Sequence, residues 1–590
     1  MSAVPRAGRV FVSVVIVASA ALSVWLRSAD LDRRPMHTDE AIHADKCLTL
    51  LQSGEYVYDP HDYHGPTLYY LTLPVLRTAG VREPADAEAW MFRIVPVGVA
   101  AAGVLLLLMM RDALGRAGAV IAALFAATLP ALGFYASYYI QETLLVTFTL
   151  AAVCAGWRFA RSGGTGWMIA CGAAAGLMHG TKETSLIVFG AAAAALLLTQ
   201  GAGLTAQLRS SGGFRALLVG TATAAAVSAA LHTNFGRNPR GVIDAGVAVG
   251  GYAQRAIRGS VDSRDAEAGP HRHPWGFYLE RHFLPRSGDR LAGAQLLVAI
   301  FAAVGAWFAF VRSRVGAHSL RPAAWSSAGS AAADDPHLPR AADGADPRFA
   351  RFFAAFVLLL GIAYTILPYK TPWSFLGVVH LLTLLAGIGA GVMWESVRVS
   401  RLGAAALALI LMLSVGRLGL ISRGAAVDPL RGVAERFVYG QSLDGARRLG
   451  AFVERLATVD PRGRALPVYV IGDDPWPLPW YLRAMRATGY WSDETRMDAA
   501  LPRPAVLIVA RIAAHDEYRP GGDSGLEATT PRAASAAVAG PSIARWIGDD
   551  PAGPFYHGQR ADAVYEVFVE RALYEAFAAA GTSVGMTSTP

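Results

Sequence analysis

The sequence predicts a polytopic α-helical membrane protein of about eleven spans, ending in a small α/β soluble domain. Three observations predict this. Apolar runs of about 17–25 residues, each enough to cross a bilayer as a helix, recur along the first 421 positions. Arginines fall on alternate connections between those runs. Short β-branched runs bounded by Pro and Gly appear only in the last part of the chain. Composition agrees: 53% of the 590 residues are hydrophobic and 17% charged, where soluble domains carry about a quarter charged.

The expected spans are 10–27, 89–110, 117–135, 140–158, 166–180, 184–200, 214–232, 291–311, 352–368, 374–394 and 402–421. The first follows Arg6 and Arg9, as in a signal peptide. We read it as a retained helix, because eleven spans then give a consistent charge topology. With a cytoplasmic N-terminus, the short inner segments hold Arg6/Arg9, Arg111/Arg116, Arg158/Arg161, Arg209/Arg215, Arg312/Arg314 and Arg398/Arg401. That is the positive-inside pattern, and it accounts for a net charge of +8 without nucleic acid.

The topology gives a membrane domain over 1–421 and an extracytoplasmic α/β domain over 422–590, in the cell (inner) membrane. Outer loops of the membrane domain are 28–88 and 233–290, and an inner loop at 315–349 reads as disordered linker. In the C-terminal region, 466–472 and 505–510 read as buried strands and 443–456 as a helix. Neither strand is followed by a GxGxxG loop, so no nucleotide fingerprint is present. Three cysteines, two of them inside apolar runs, give no disulfide framework.

Chemistry-bearing residues gather beside the spans. MHTDEAIHADK (36–46) places Asp39 and Glu40 just after the first span. Thr38 as N-cap, with acids in the first turn, explains the pair without chemistry. YDPHDYHGPTLYYLTLP (58–74) adds His61, Asp62, Tyr63 and His64 to the same loop. The histidine spacing fits no closed zinc site, whereas Mg or Mn held by carboxylates and a substrate phosphate suits the loop better. Glu142, Lys182, Glu183 and Lys370 stand in short outer connections, where each also fits an interfacial or snorkelling role. Lysines at a lipid boundary suit an anionic phosphate. In GDDPWPLPWYLR (472–483), Asp473, Trp476 and Trp480 read either as a packed docking loop or as a sugar platform. RHPWGFYLERHF (272–283) reads as an interfacial amphipathic helix.

Four motifs carry a family resemblance: HTDEA after the first span, YVYDPHDYHGPTLYY in the same loop, LPYKTPW before the tenth span, and IGDDPWPLPWYLR in the soluble region. With them the chain resembles the C-type membrane glycosyltransferase superfamily. It is most similar to the protein mannosyltransferase-like branch (glycosyltransferase family 39) and the aminoarabinose transferases. Within that branch it looks like the bacterial and archaeal family associated with flippase activity. The resemblance implies the C-type glycosyltransferase fold and transfer of a hexose or pentose from a polyprenyl-phosphate sugar, on the outer membrane face and with inversion. The acceptor would be a lipid-linked glycan, a polysaccharide or a protein. It implies Asp39 as general base with Glu40 beside it, and Glu142 as a second acid. Lys182, Lys370, His64, Arg93 and Tyr369 would bind the donor phosphate, with Tyr63, Trp373, Asp473, Trp476 and Trp480 near sugar or acceptor. His64-Gly65-Pro66 departs from the Lys-Pro-Pro of aminoarabinose transferases, which makes charge at that position depend on pH. The alternative reading is a non-catalytic flippase or flippase partner for lipid-linked glycans.

Overall fold

The structure is a computed structural model, described for residues 4–61, 64–258, 273–284, 293–312, 344–427, 436–439, 442, 445–472, 475–492, 501–512, 543–547 and 563–581. In chain order its helices begin with α1 (Val4–Arg27), α2 (Thr38–Ser53), α3 (Thr67–Thr78), α4 (Ala89–Leu106) and α5 (Arg111–Leu114). Then come α6 (Arg116–Thr128), α7 (Pro130–Ala136), α8 (Glu142–Ser162), α9 (Thr165–His179), α10 (Ser185–Arg209) and α11 (Ser211–His232). They continue with α12 (Gly241–Arg258), α13 (Phe277–Phe283), α14 (Gly293–Trp307), α15 (Pro347–Ile366), α16 (Leu376–Val397) and α17 (Arg401–Val427). The last three are α18 (Gly445–Val459), α19 (Leu478–Tyr481) and α20 (Arg571–Gly581).

A helix occupies every expected span. Among the described residues, seven helices are long and apolar enough to cross a membrane, or eight if the bent pair α6–α7 is one span. The 15-residue α9 falls short of that length. At 1.5 Å per residue it falls below a hydrocarbon core of about 30 Å. The expected linker at 315–349 lies outside the described residues up to 343.

By contact the chain divides into two compact units. The first comprises residues 1–31, 53–75 and 90–438, and the second 32–52, 76–89 and 439–590. The second unit therefore takes in two pieces of the first outer loop as well as the C-terminal region.

The first unit is a helical bundle. α9 carries Gly172 and Gly176 four residues apart, and α11 packs directly on them. A Cβ on Gly172 would stand 2.1 Å from the Gly220 carbonyl oxygen, so only glycine permits this backbone approach. Between α6 and α7 the chain bends by 56° at Pro130, which cannot donate into the preceding turn. The carbonyls freed there need partners inside an apolar bundle. Arg27, buried at the end of α1, supplies them: its Nη2 donates to Ala126 O at 2.7 Å and Ala127 O at 3.4 Å.

The second unit holds a five-stranded sheet: β1 (Val468–Ile471), β2 (Thr488–Trp491), β3 (Val506–Ile512), β4 (Ile543–Ile547) and β5 (Ala563–Glu570), ordered β2-β1-β3-β5-β4. β1 is parallel to β2 and β3, while β5 is antiparallel to β3 and β4. The two expected strands are β1 and β3, at the centre of the sheet. Alternate residues Tyr469, Ile471, Leu507, Val509 and Phe568 form one buried face, with Trp491 packed against it. Residues 32–52 are tied into this unit by Met36, whose N–H donates to the Tyr481 hydroxyl at 2.8 Å. Residues 76–89 are held by Arg483, which donates to Pro84 O and Ala87 O at 3.1 and 2.6 Å.

Candidate functional site

In the second unit the acid pair opens α2, but the cap is His37 rather than the expected Thr38. The His37 carbonyl accepts the first helical bond from Ala41 N at 2.9 Å. Its imidazole Nδ1 accepts the Asp39 N–H at 3.1 Å, and Glu40 Oε2 accepts the His37 N–H at 3.1 Å. This is a reciprocal capping box with histidine in the place of serine. The Thr38 hydroxyl is buried without a hydrogen-bond partner among the described residues. Histidine takes the cap from threonine because the His37 ring reaches the orphan amide.

The box separates the two carboxylates. Glu40 is fully buried, with Oε1 3.8 Å from Arg34 Nη2 and Oε2 spent on the cap. Asp39 is partly buried, and its carboxylate takes no hydrogen bond among the described residues. A carboxylate left unbonded can take a proton from an incoming hydroxyl; a capping carboxylate is already committed.

In the first unit two loops lie back to back: His64–Thr67 before α3, and Gly180–Thr184 between α9 and α10. Thr67 donates its N–H and its hydroxyl to Gly180 O, at 3.2 and 2.6 Å. A Cβ on Gly65 would stand 2.2 Å from that same oxygen, so the glycine is what lets the loops touch. The paired loops present His64, Lys182 and Glu183. Glu183 accepts the Tyr58 hydroxyl at 2.7 Å on one oxygen and His64 Nδ1 at 2.8 Å on the other. Burial alone would raise the Glu183 carboxyl, but the His64 ring and the Tyr58 hydroxyl hold it down at about 2. Burial and the neighbouring Glu183 charge push the Tyr58 phenol well up.

Lys182 forms a buried ion pair with Glu142, at the start of α8. Both line a small cavity with Thr184, Tyr364, Trp373 and Ser374. Lys370 is buried in the break between α15 and α16, where its ammonium donates to Leu367 O and to His273 O at 3.0 Å. Tyr369, beside it, is partly buried. Arg93 is fully buried and donates to Leu31 O at 2.5 Å.

The structure therefore brings together Glu142, Lys182 and Trp373, and separately His64 with Glu183. In the second unit Trp480 is buried beneath Arg483, whose guanidinium sits 3.9 Å from the ring centre, while Trp476 is partly buried. Tyr63 and Asp473 lie outside the described residues. Sequence reasoning noted Glu183 but gave it no role, and it missed Tyr58 and Tyr252. Tyr252 on α12 places its hydroxyl 2.7 Å from His64 Nδ1. The short expected helix at 272–283 is α13, with Trp275 and Leu279 exposed. Among the described residues no three His, Cys, Asp or Glu side chains form a group able to hold a metal ion.

Residues 85–229 match the family profile described as dolichyl-phosphate-mannose-protein mannosyltransferase. The fold is similar to that of ArnT from Cupriavidus metallidurans in the apo state, with TM-score 0.54 and 16% identity, covering 95% of this chain and 98% of that one. The same protein bound to undecaprenyl phosphate matches with TM-score 0.52 and 15% identity, covering 94% and 97%. No curated protein sequence matches the chain. These findings bear out the resemblance to C-type membrane glycosyltransferases and their protein mannosyltransferase-like branch, and with the apolar helices they make this a multi-pass membrane protein.

Proposed function

We propose that the protein is a glycosyltransferase that moves a sugar from a polyprenyl-phosphate donor to a hydroxyl or amide acceptor on the outer face of the cell membrane. The observation that carries this reading is the division of labour at the start of α2. Glu40 is locked into the cap, and Asp39 keeps a carboxylate that is unbonded among the described residues. Support for the donor class comes from the shared fold with a protein solved with undecaprenyl phosphate. Support for the outer face comes from the arginines on alternate connections.

In this reading Asp39 takes the acceptor proton as the acceptor atom bonds to the anomeric carbon. The bond from that carbon to the phosphate oxygen breaks, and its electron pair leaves with the lipid phosphate. Displacement in one step inverts the anomeric centre. A phosphate is already a good leaving group, so the protein contributes chiefly position and charge. Lys370 suits that role, because two carbonyls fix its ammonium and an ammonium has three N–H groups to give. Lys182 brings its charge already balanced by Glu142, which favours a ligand whose arrival rearranges that pair. His64 and Tyr369 are further donors to the phosphate, and Arg93 acts from behind through the backbone it holds. Trp373 lines the cavity beside the pair and is the aromatic face for sugar or acceptor. The lipid-linked glycan, polysaccharide and protein acceptors all present a nucleophile that this chemistry can use. No feature supports the flippase alternative.

The test supplies purified protein with polyprenyl-phosphate sugars and follows release of polyprenyl phosphate. Release that depends on an added acceptor is the expected result. No release from any donor, together with faster lipid crossing in vesicles containing the protein, would overturn the reading.

A further inference from the structure

A second cavity in the first unit adjoins the one that holds the Lys182–Glu142 pair, and Val146 lines both. Its volume is ≈ 30 Å³, where a single water needs about 10–15 Å³. Arg27, Thr143, Thr147 and His380 are its polar lining, and the rest is Gly, Ala, Val and Leu. The transfer mechanism uses none of these four. Arg27 is buried, and among the described residues no carboxylate pairs with it. A guanidinium has five N–H groups. Nη1 donates to Ser23 Oγ and Nη2 to the Ala126 and Ala127 carbonyls, while Nε is buried without a partner among the described residues. The two threonine hydroxyls have each given their one hydrogen, to Tyr135 O at 3.1 Å and to Val99 O at 3.3 Å. His380 is also buried, and its ring makes no hydrogen bond among the described residues. In either tautomer one of its nitrogens carries a proton to donate.

The carbonyls at the end of α6 offset only part of the Arg27 charge, because a helix C-terminus carries roughly half a negative elementary charge. The first turns of α8 and α16 also reach the cavity, through Thr143 and Leu376. Helix N-termini carry the opposite sign, so they add to the positive side. Glu142, the acid at the start of α8, is already matched by Lys182. The cavity therefore gathers a guanidinium, an imidazole N–H and two positive helix ends, with no acid among the residues that line it. A charge in an apolar lining is costly unless it is paired. Water would satisfy the N–H groups but would bring no charge.

We propose that this cavity binds a small inorganic anion of the halide class, held by the Arg27 guanidinium and the His380 ring N–H. Two donor groups, and room for about two waters, suit a monatomic ion better than a phosphate with four oxygens to satisfy. The site is separate from that of the donor phosphate, and it needs no part of the glycosyltransferase reading. Arg27 also holds the carbonyls at the α6–α7 bend. An anion that neutralises it there should stabilise the folded chain.

Two measurements on the full chain in detergent test it, in gluconate buffer with chloride replacing gluconate at constant ionic strength. The thermal unfolding midpoint should climb with the logarithm of chloride concentration, as for a ligand bound only by the folded form. The protein should also broaden the chloride-35 resonance, and bromide should reverse the broadening. His380→Phe keeps Arg27 and an aromatic ring but removes the donor. The chloride needed for either effect should then rise about tenfold or more, as for loss of a hydrogen bond to a charged group. Arg27→Gln keeps an N–H for the α6 carbonyls and removes the charge, so both effects should vanish; if it does not fold, His380→Phe decides. Equal midpoints in chloride and gluconate would overturn the proposal. So would an equal response in wild type and His380→Phe, the signature of a surface salt effect. Inorganic phosphate acting at lower concentration than chloride would overturn the halide assignment.

Discussion

The start of α2 and the paired loops around Gly180 use the same residue types to opposite ends. At α2 two adjacent carboxylates are treated differently: Glu40 is buried in a capping box, and Asp39 is left without a bond among the described residues. At the paired loops both carboxylates are matched, Glu142 of α8 with Lys182 and Glu183 with His64. The difference teaches how to tell a reacting acid from a supporting one. An acid whose acceptor positions are filled by the fold holds geometry, and an acid the fold leaves unfilled is available to a substrate.

That contrast can be broken most forcefully in the loops. Lys182→Met leaves Glu142 buried and uncompensated, which costs roughly 3–5 kcal/mol for a buried pair. Thermal unfolding in detergent should show the largest loss of any of these single changes, and Glu142→Gln with Lys182→Met should recover most of it. The next effect is set by pH. Glu183 sits at about 2 instead of its ordinary 4.5, so its contribution is complete above pH 4.5 and is lost as pH falls toward 2. Unfolding midpoints should drop across that window in wild type and change less in Glu183→Gln. Gly65→Ala forces a methyl against Gly180 O, an overpacking cost of about 1–3 kcal/mol. The smallest effect belongs to the cap: His37→Ala should cost about 1 kcal/mol, and His37→Asn, a good N-cap, should restore most of it.

Much of this is legible in the sequence, and the reasons for the rest are physical. The eleven apolar runs are all helical, because a long apolar segment must satisfy its backbone internally. Crossing length is less legible, since α9 ends after 15 residues where Gly180 turns the chain. β1 and β3 are readable as short buried runs. β5, Ala563–Glu570, holds the buried apolar run Val567–Val569, but so short a run names no neighbouring strand. Thr38 is the expected cap by residue type, yet His37 wins because its ring reaches the Asp39 amide. The Glu183 pairings with Tyr58 and His64 span 125 and 119 residues, and no local pattern announces contacts of that separation. The motif HGP is visible; that its histidine is bonded to the acid of a second His-Gly loop is not.

The most direct test of the central claim sets Asp39→Asn beside Glu40→Gln, measuring sugar transfer from a polyprenyl-phosphate donor and thermal unfolding on the same preparations. Loss of a general base costs about 10²- to 10⁴-fold in rate. The account predicts that Asp39→Asn loses turnover by that factor with its unfolding midpoint unchanged, while Glu40→Gln lowers the midpoint. Transfer by Asp39→Asn at the wild-type rate would contradict it.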